Sequence, residues 1–495
     1  MSHVASFGAL ARDLVVLPPD ADALPIAGIA LDSRKVRPGF LFAALPGAAQ
    51  DGRRHIADAV AHGAVAVLAP RGTDWPDGVA RVPLVLADEP RRTLARLAAA
   101  HAGPQPERMV AVTGTNGKTS TADFLRQIWT LGELSAASLG TLGLVADVTL
   151  PDPVPALTTP DSVALATPLA GLAERGVRAA AIEASSHGLD QFRLDGVRLS
   201  AAGFSNLTRD HLDYHGTLDA YREAKLRLFS ELLPPGAVAA ANADMDPATL
   251  DRLRTIAAAR GLALRLAGKS GDTIRLQRAV PLSDGQMLEL EADGRRYEVR
   301  LALPGRFQAD NVLLAALLAE PEADALPSVL ARLDRLTGVR GRMELAARLP
   351  NGSAAYVDYA HTPDALERLL SSLRPHAAEG GGRLVLVFGA GGDRDRGKRP
   401  LMGEAAARLA DLAIVTDDNP RSENPAAIRA EIRAACPDAL EIGDRAAAIA
   451  AGLDALRPGD VLVVAGKGHE QGQTVGGIVH PFDDAAVIRA LAGAA

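Results

Sequence analysis

One short stretch constrains this chain more than any other. The apolar run Met109, Val110, Ala111, Val112, Thr113 leads straight into Gly114, Thr115, Asn116, Gly117, Lys118, Thr119 and Ser120. A short β-branched run of this kind is a buried strand, and the pattern that follows predicts a helix out to about Leu131. Gly114 and Gly117 let the turn between them fold tightly enough for backbone N–H groups to converge on an anion, and the helix N-terminus adds partial positive charge. Lys118 then reaches terminal phosphates and Thr119 offers a hydroxyl to Mg²⁺. The full phosphate-loop pattern places a glycine where Val112 stands, so this is a shorter variant. An ordinary strand-turn-helix corner would use the same glycines, but the flanking strand and helix favour a nucleoside triphosphate, with ATP expected.

At 495 residues the chain exceeds a single core, and three domains are expected. Its 48% hydrophobic and 23% charged residues suit a globular protein, and a net charge of −7 argues against nucleic acid or an anionic membrane as main partner. The single cysteine, Cys436, excludes an internal disulfide framework and fits a reducing compartment, and no apolar run is long enough for a membrane span. A cytoplasmic location is expected. Arginine outnumbers lysine 47 to 6, so Lys35, Lys118, Lys225, Lys269, Lys398 and Lys467 stand out. Lysine is hard to replace where a compact charge or a nucleophilic amine is needed.

The predicted fold class is α/β. An N-terminal unit (1–102) carries strand-like runs at 41–43, 64–68 and 84–86 and a helix at 93–101, closed by the breaker cluster Gly103, Pro104, Gln105, Pro106. A second unit (103–337) opens with the phosphate loop and alternates apolar runs at 179–182, 201–204 and 238–241 with helical patterns, as in a mostly parallel sheet. Its polar-alternating stretch 273–303 predicts antiparallel strands. A third unit (338–495) repeats the alternation with strands at 354–357, 384–388, 412–415 and 461–464.

Several clusters carry chemistry. Glu183 ends a buried strand ahead of Ser185, Ser186 and His187, which suits either an Mg²⁺ ligand or a polar turn. Arg209, Asp210, His211, Asp213 and His215 crowd the end of another strand, and a solvated loop accounts for the charge but not for two histidines there. Lys225 shares a helix face with Tyr221 and Leu228, so it either snorkels or is an amine whose pKa falls on burial and which reacts with CO₂ to form a carbamate. In the third unit the segments beginning at Asp358, Gly389, Asp417 and Gly466 each follow a strand and share one rim of the sheet. Arg394 and Arg421 against Glu470 suit a zwitterionic ligand, since paired arginines grip a carboxylate.

The ordered set GTNGKTS, TTPDS, EASSHGL, NLTRDHLDYHG, YREAKLRLF, GRME, DYAHTPDAL, GGDRDRGKRP, DNPR and GKGHE resembles the Mur ligase family of bacterial cell-wall synthesis, from Asp32 to Asp484. The resemblance implies an N-terminal domain for a uridine nucleotide, a central P-loop-type ATPase and a C-terminal Rossmann-like domain for an amino acid. It implies that Leu31, Ser33, Ala48, Ala49 and Gln50 hold the UDP-sugar, and that Thr158, Thr159, Ser185, Gln191 and Arg193 line the path of its peptide arm. Gly114 to Ser120 would cradle ATP, with Asn311, Arg342 and Asp358 completing that site. Thr119, Glu183 and His211 would bind Mg²⁺ together with Lys225 as its CO₂-derived carbamate, and Lys118, Lys225, His211 and Glu183 would be the catalytic set. Arg394, Asp418, Asn419, Pro420, Arg421, Gly468 and Glu470 would hold the amino acid. Gln308 and Ala390 depart from the family pattern without removing a catalytic group.

The activity so implied is ATP-dependent amide formation through an acyl phosphate, adding meso-diaminopimelate to the D-glutamyl γ-carboxylate of UDP-MurNAc-L-Ala-D-Glu by a monomeric enzyme of peptidoglycan precursor synthesis. The alternatives are a lysine-adding relative or a folylpolyglutamate synthase, and from a different class a P-loop switch without amino-acid-dependent phosphate release.

Overall fold

The computed structural model describes residues 5–47, 50–282, 284–379 and 381–493, in two compact units, 1–265 and 266–495. Ala48 and Ala49 lie outside the described residues.

In the first unit the strand Arg108–Thr113 is buried from its second residue onward and pairs in parallel with Ala179–Glu183 on one side and Ala201–Phe204 on the other. Six strands of this sheet run in the order Val238–Asn242, Ala201–Phe204, Arg108–Thr113, Ala179–Glu183, Ala136–Gly140, Gly143–Ala146, parallel except for the last. The chain thus passes to both sides of Arg108–Thr113, and the crevice at a topological switch point opens at that strand's carboxyl end. The helix Lys118–Leu131 begins there and buries Phe124, Leu125, Ile128 and Trp129. Every residue of Ala136–Gly140 is buried, although its sequence, Ala-Ala-Ser-Leu-Gly, has no β-branched residue to announce a strand.

A smaller sheet in the same unit is entirely parallel, with Gly28–Ala30, Phe40–Ala43, Ala64–Pro70 and Leu84–Ala87 in chain order. The helix Pro90–Ala102 starts on a proline suited to a first turn, packs Leu94, Leu97 and Ala98 into the core, and stops at Gly103, whose φ of 108° few other residues adopt. The breaker cluster therefore ends the helix where the sequence predicts.

The second unit opens with an antiparallel meander, Ile274–Leu282, Gly285–Ala292 and Arg295–Leu301, followed by the helix Arg306–Ala319. Its main sheet runs Glu344–Arg348, Ala354–Asp358, Val461–Ala465, Leu384–Phe388, Leu412–Val415, Leu440–Glu441, all parallel but the first. Separate hydrophobic clusters cover both faces, which explains why these strands are continuous apolar runs rather than alternating ones. The four rim segments predicted from sequence follow Asp358, Phe388, Val415 and Ala465, at the carboxyl edge of that sheet. Among the described residues no helix is long and apolar enough to cross a membrane.

Candidate functional site

The phosphate loop is held open by its neighbours. Gly114 has φ 140°, and a Cβ there would lie 2.0 Å from Ser205 Oγ, so only glycine fits. Gly117, at φ 85°, precedes the helix that begins with Lys118. The segment after Ala201–Phe204 stitches the loop down. Thr115 N donates to Asn206 O at 2.8 Å, Asn116 N to Asn206 Oδ1 at 3.0 Å, and Thr208 N to Thr115 Oγ1 at 2.9 Å. Ser205, Asn206 and Thr208 thus shape the loop from roughly ninety residues away, a role that local sequence does not signal.

Two amines converge on one carbonyl. Lys118 Nζ donates to Gly114 O at 2.9 Å and to Thr115 O at 2.9 Å, while Lys225 Nζ donates to Gly114 O at 2.8 Å. Lys225 sits on the helix Leu218–Arg227, is 1% exposed, and lies 4.5 Å from the centre of the Tyr221 ring. Burial, followed by the charge of Lys118, pushes its pKa well below the ordinary lysine value. Snorkelling to the protein surface does not occur: the amine ends in the interior on Gly114 O, facing the cavity rather than bulk solvent. A lowered pKa favours the neutral amine that reacts with CO₂, so burial on Gly114 O fits a carbamate.

Glu183, 3% exposed, closes its strand with a carboxylate that accepts from Thr119 Oγ1 at 2.9 Å and Thr141 N at 2.7 Å. Thr119 and Glu183 are therefore a hydroxyl–carboxylate pair of the kind that serves Mg²⁺. Among the described residues no group of three or more His, Cys, Asp or Glu side chains is placed to hold a metal ion.

Lys118, Lys225, His211, Thr158, Thr159, Ser185 and Arg193 all line one cavity of about 270 Å³, together with Leu157, Ser186, His187 and Tyr221. Thr159 ties its wall together, donating to Glu183 O at 2.8 Å and accepting from Ser185 N at 2.9 Å. Ser185 Oγ accepts from Gly188 N and caps the helix Ser186–Asp190. Arg193 donates to Thr159 O at 2.6 Å and to Gln191 Oε1 at 2.8 Å, and burial lowers its pKa. The histidines predicted to serve a purpose gather here: the His187 ring lies 4.9 Å from His211, 5.5 Å from His215 and 4.1 Å from Tyr214. Arg209, Asp210 and Asp213 stay exposed, as a solvated loop would have them.

Leu31, Ser33 and Gln50 are not among the residues lining this cavity. Leu31 and Ser33 follow the strand Gly28–Ala30, and Gln50 accepts from Gly47 N at 2.8 Å.

In the second unit, Asn311 donates to Gln308 Oε1 at 3.2 Å and Gln308 donates to Arg342 O at 3.3 Å. The departure at Gln308 therefore bridges two of the residues expected to serve ATP. Asp358 accepts from Met343 N and Ala360 N at 2.8 Å each, and its pKa is raised by burial against the opposing pull of Arg342. The Arg342 guanidinium lies 4.8 Å from the Tyr359 ring centre.

The rim loops join as the sequence predicts, with different pairings. Asn419 Nδ2 donates to Glu470 Oε2 at 2.9 Å, while Arg421 Nη1 donates to Gly392 O at 2.8 Å. Arg421 has φ 51° and its N–H donates to Thr474 O at 3.0 Å, fastening the turn after Pro420 to the hairpin Gly472–Val475 and Ile478–Pro481. Asp418 and Asn419 are buried, whereas Arg394 is exposed and donates to Asp393 O at 3.1 Å. Gly468, φ 54°, lets the backbone pass Tyr359, whose Cβ would lie 2.7 Å from an added methyl. Lys398 joins two rim loops through its bond to His361 O at 2.8 Å. Beneath them Arg445, fully buried, pairs with Asp484 at 2.7 Å and supports Ala465 O at 3.1 Å. No local signal in the sequence marks Arg445.

Family models match in chain order: the Mur ligase family catalytic domain over residues 25–102, the Mur ligase middle domain over 112–319, and the Mur ligase glutamate ligase domain over 341–468. The UDP-N-acetylmuramoyl-L-alanyl-D-glutamate–2,6-diaminopimelate ligase of Caulobacter vibrioides is 54% identical over 94% of this chain and 96% of its own length. The enzyme of the same name from Rhizobium meliloti is 51% identical over 96% of each. A solved structure of a ligase of that name superposes with a TM-score of 0.74 at 34% identity, covering 99% of both chains. This chain belongs to the Mur ligase family.

Proposed function

We propose that the chain couples ATP hydrolysis to addition of 2,6-diaminopimelate to the D-glutamyl γ-carboxylate of UDP-MurNAc-L-Ala-D-Glu, in peptidoglycan precursor synthesis. The observation that carries this reading is the convergence of Lys118 and Lys225 on Gly114 O, in the lining of a cavity shared with Thr158, Thr159, Ser185 and Arg193. An ATP loop thereby opens onto a polar chamber able to hold an acceptor carboxylate. The names of the curated relatives, at about half identity over nearly the full length, supply the substrates.

The γ-carboxylate attacks the ATP γ-phosphorus and ADP leaves, giving an acyl phosphate. The diaminopimelate amine then attacks its carbonyl, and phosphate departs from the tetrahedral intermediate. Both steps crowd negative charge. Lys118 and the loop N–H groups not already bonded to Asn206 stabilise it, on a loop that Asn206 and Thr208 hold in place. Thr119, Glu183 and His211 would hold Mg²⁺, which would supply charge neutralisation at phosphate oxygens, and a carbamate on Lys225 would add two oxygen donors sharing one negative charge. Thr159 and Arg193 orient the acceptor's peptide arm. Asn311, Arg342 and Asp358 also serve the nucleotide. Leu31, Ser33, Ala48, Ala49 and Gln50 hold the uridine nucleotide. Arg394, the residues Asp418 to Arg421, Gly468 and Glu470 hold diaminopimelate.

The functional divisions are 1–102 for the UDP-sugar, 103–337 for ATP and ligation, and 338–495 for the amino acid. The enzyme works as a cytoplasmic monomer on small-molecule substrates. The test is phosphate release with ATP, UDP-MurNAc-L-Ala-D-Glu and a panel of amino acids. Release that requires meso-diaminopimelate is expected. Equal efficiency with L-lysine would move the assignment to the lysine-adding relative, and release independent of any amino acid would defeat the ligase reading.

A further inference from the structure

Of the six lysines two are buried, Lys225 at 1% and Lys467 at 0% exposure, and the reaction outlined above uses only the first. Taking an ammonium fully out of water is costly unless its donors and its charge are answered. Lys467 answers them inside the amino-acid rim. Its Nζ donates to Asn419 Oδ1 at 3.0 Å and to Gly472 O at 2.7 Å, and lies 3.4 Å from Asp418 Oδ1 and 3.9 Å from Glu470 Oε2. Asp418 Oδ1 is itself buried and has no hydrogen-bond partner among the described residues, so this ammonium is its nearest answer. The charge next in line, Arg445, is committed to Asp484.

The consequence falls on the Asn419 amide. Its oxygen accepts from both Lys467 Nζ and Thr474 N, the latter at 2.9 Å. With the oxygen so engaged, the amide must turn its Nδ2 the other way, where it donates to Glu470 Oε2. An amide with two donors trained on its oxygen cannot flip without leaving both unpaired in a buried place. Resting on the proposed function, which holds the amino acid at Asn419, Arg421 and Glu470, we infer that Lys467 is a positioning residue. It locks Asn419 as a hydrogen-bond donor and offsets Asp418, so that the rim receives a carboxylate-bearing amino acid. Discrimination against an analogue lacking that carboxylate then depends on a lysine that never touches substrate.

The experiment is steady-state phosphate release by the full-length enzyme, with KM determined for diaminopimelate, ATP and UDP-MurNAc-L-Ala-D-Glu, and kcat/KM compared between diaminopimelate and L-lysine. Lys467→Met is expected to raise the diaminopimelate KM about tenfold or more and to narrow the preference over lysine by a similar factor, leaving the other two KM values within about twofold. Lys467→Gln, which keeps a donor and fits the same space, recovers part of that loss and serves as the readable variant should the methionine form fail to fold. Because the effect passes through Asn419, Lys467→Met combined with Asn419→Ala is expected to be no worse than Asn419→Ala alone. An unchanged diaminopimelate KM, an equal rise in all three KM values, a glutamine variant as poor as the methionine one, or multiplicative effects in the double variant would each overturn the inference. A wild-type enzyme with no diaminopimelate-dependent release would instead overturn the proposed function.

Discussion

Removing the charge of Asp484 probes how the amino-acid rim is supported. Arg445 and Asp484 both have fully buried side chains and meet in a two-point pair, Nε to Oδ1 and Nη2 to Oδ2 at 2.7 Å each. The same guanidinium braces Ala465 O, at the end of the strand leading into the segment that carries Lys467, Gly468 and Glu470, and approaches Asp417 O at 3.4 Å. Asp484→Asn keeps the shape and one acceptor oxygen but deprives a fully buried guanidinium of its paired counter-ion. Breaking a pair of this kind from one side costs about 3–5 kcal/mol, and retention of an acceptor places this case near the lower end. For a unit the size of 266–495 that corresponds to a melting point lower by about 6–12 °C. Trp75 and Trp129 both lie in 1–265, so tryptophan emission reports the other unit, and calorimetry or far-ultraviolet dichroism is the suitable assay. The double variant Arg445→Met with Asp484→Leu should recover most of the loss, because an apolar pair of similar volume carries no desolvation penalty. A single variant that costs less than about 1 kcal/mol, or a double variant no better than the single, would refute the reasoning.

Three further outcomes are expected. Lys225→Ala should reduce turnover at least about a hundredfold, with partial restoration by acetate or formate occupying the vacated space; no rescue, and no carbamate signal by ¹³C NMR in bicarbonate, would refute the carbamate. Arg421→Ala should raise the diaminopimelate KM about tenfold or more while sparing the KM for ATP, as for a lost charge-assisted contact, and unaltered selectivity against L-lysine would contradict it. Burial, then Arg342 and Arg340, lower the His469 pKa from 6.5 to about 4, so the folded state prefers the neutral ring. Its stabilising contribution is therefore complete above pH 6.5 and is lost as pH falls from 6.5 towards 4. The urea midpoint should decline over that window less steeply in His469→Gln, and superimposable profiles would count against it.

Part of this protein was legible in its residues alone. Met109 to Lys118 predict a buried strand, a glycine turn and a helix, and the structure has all three, because the apolar run, the glycines and the helical pattern are signals carried within a few residues, while the loop's fastening comes from Asn206 and Thr208. The apolar runs at 354–357, 384–388, 412–415 and 461–464 likewise predict strands with polar rims at their ends, since parallel strands covered on both faces read as continuous apolar segments. Other features depended on partners far along the chain. The helical pattern around Lys225 allows both snorkelling and burial, and the choice is made by Gly114 O, contributed 111 residues earlier. The strand Ala136–Gly140 has no strand-like composition of its own and exists because the neighbouring strand Ala179–Glu183 pairs with it. The direction of the Asn419 amide is set by Lys467 and Thr474, and the counter-ion of Arg445 comes from Asp484, 39 positions away. Sequence determines structure where the energy is local in the chain; where a buried charge or an amide must find its partner, only the tertiary fold decides which one it meets.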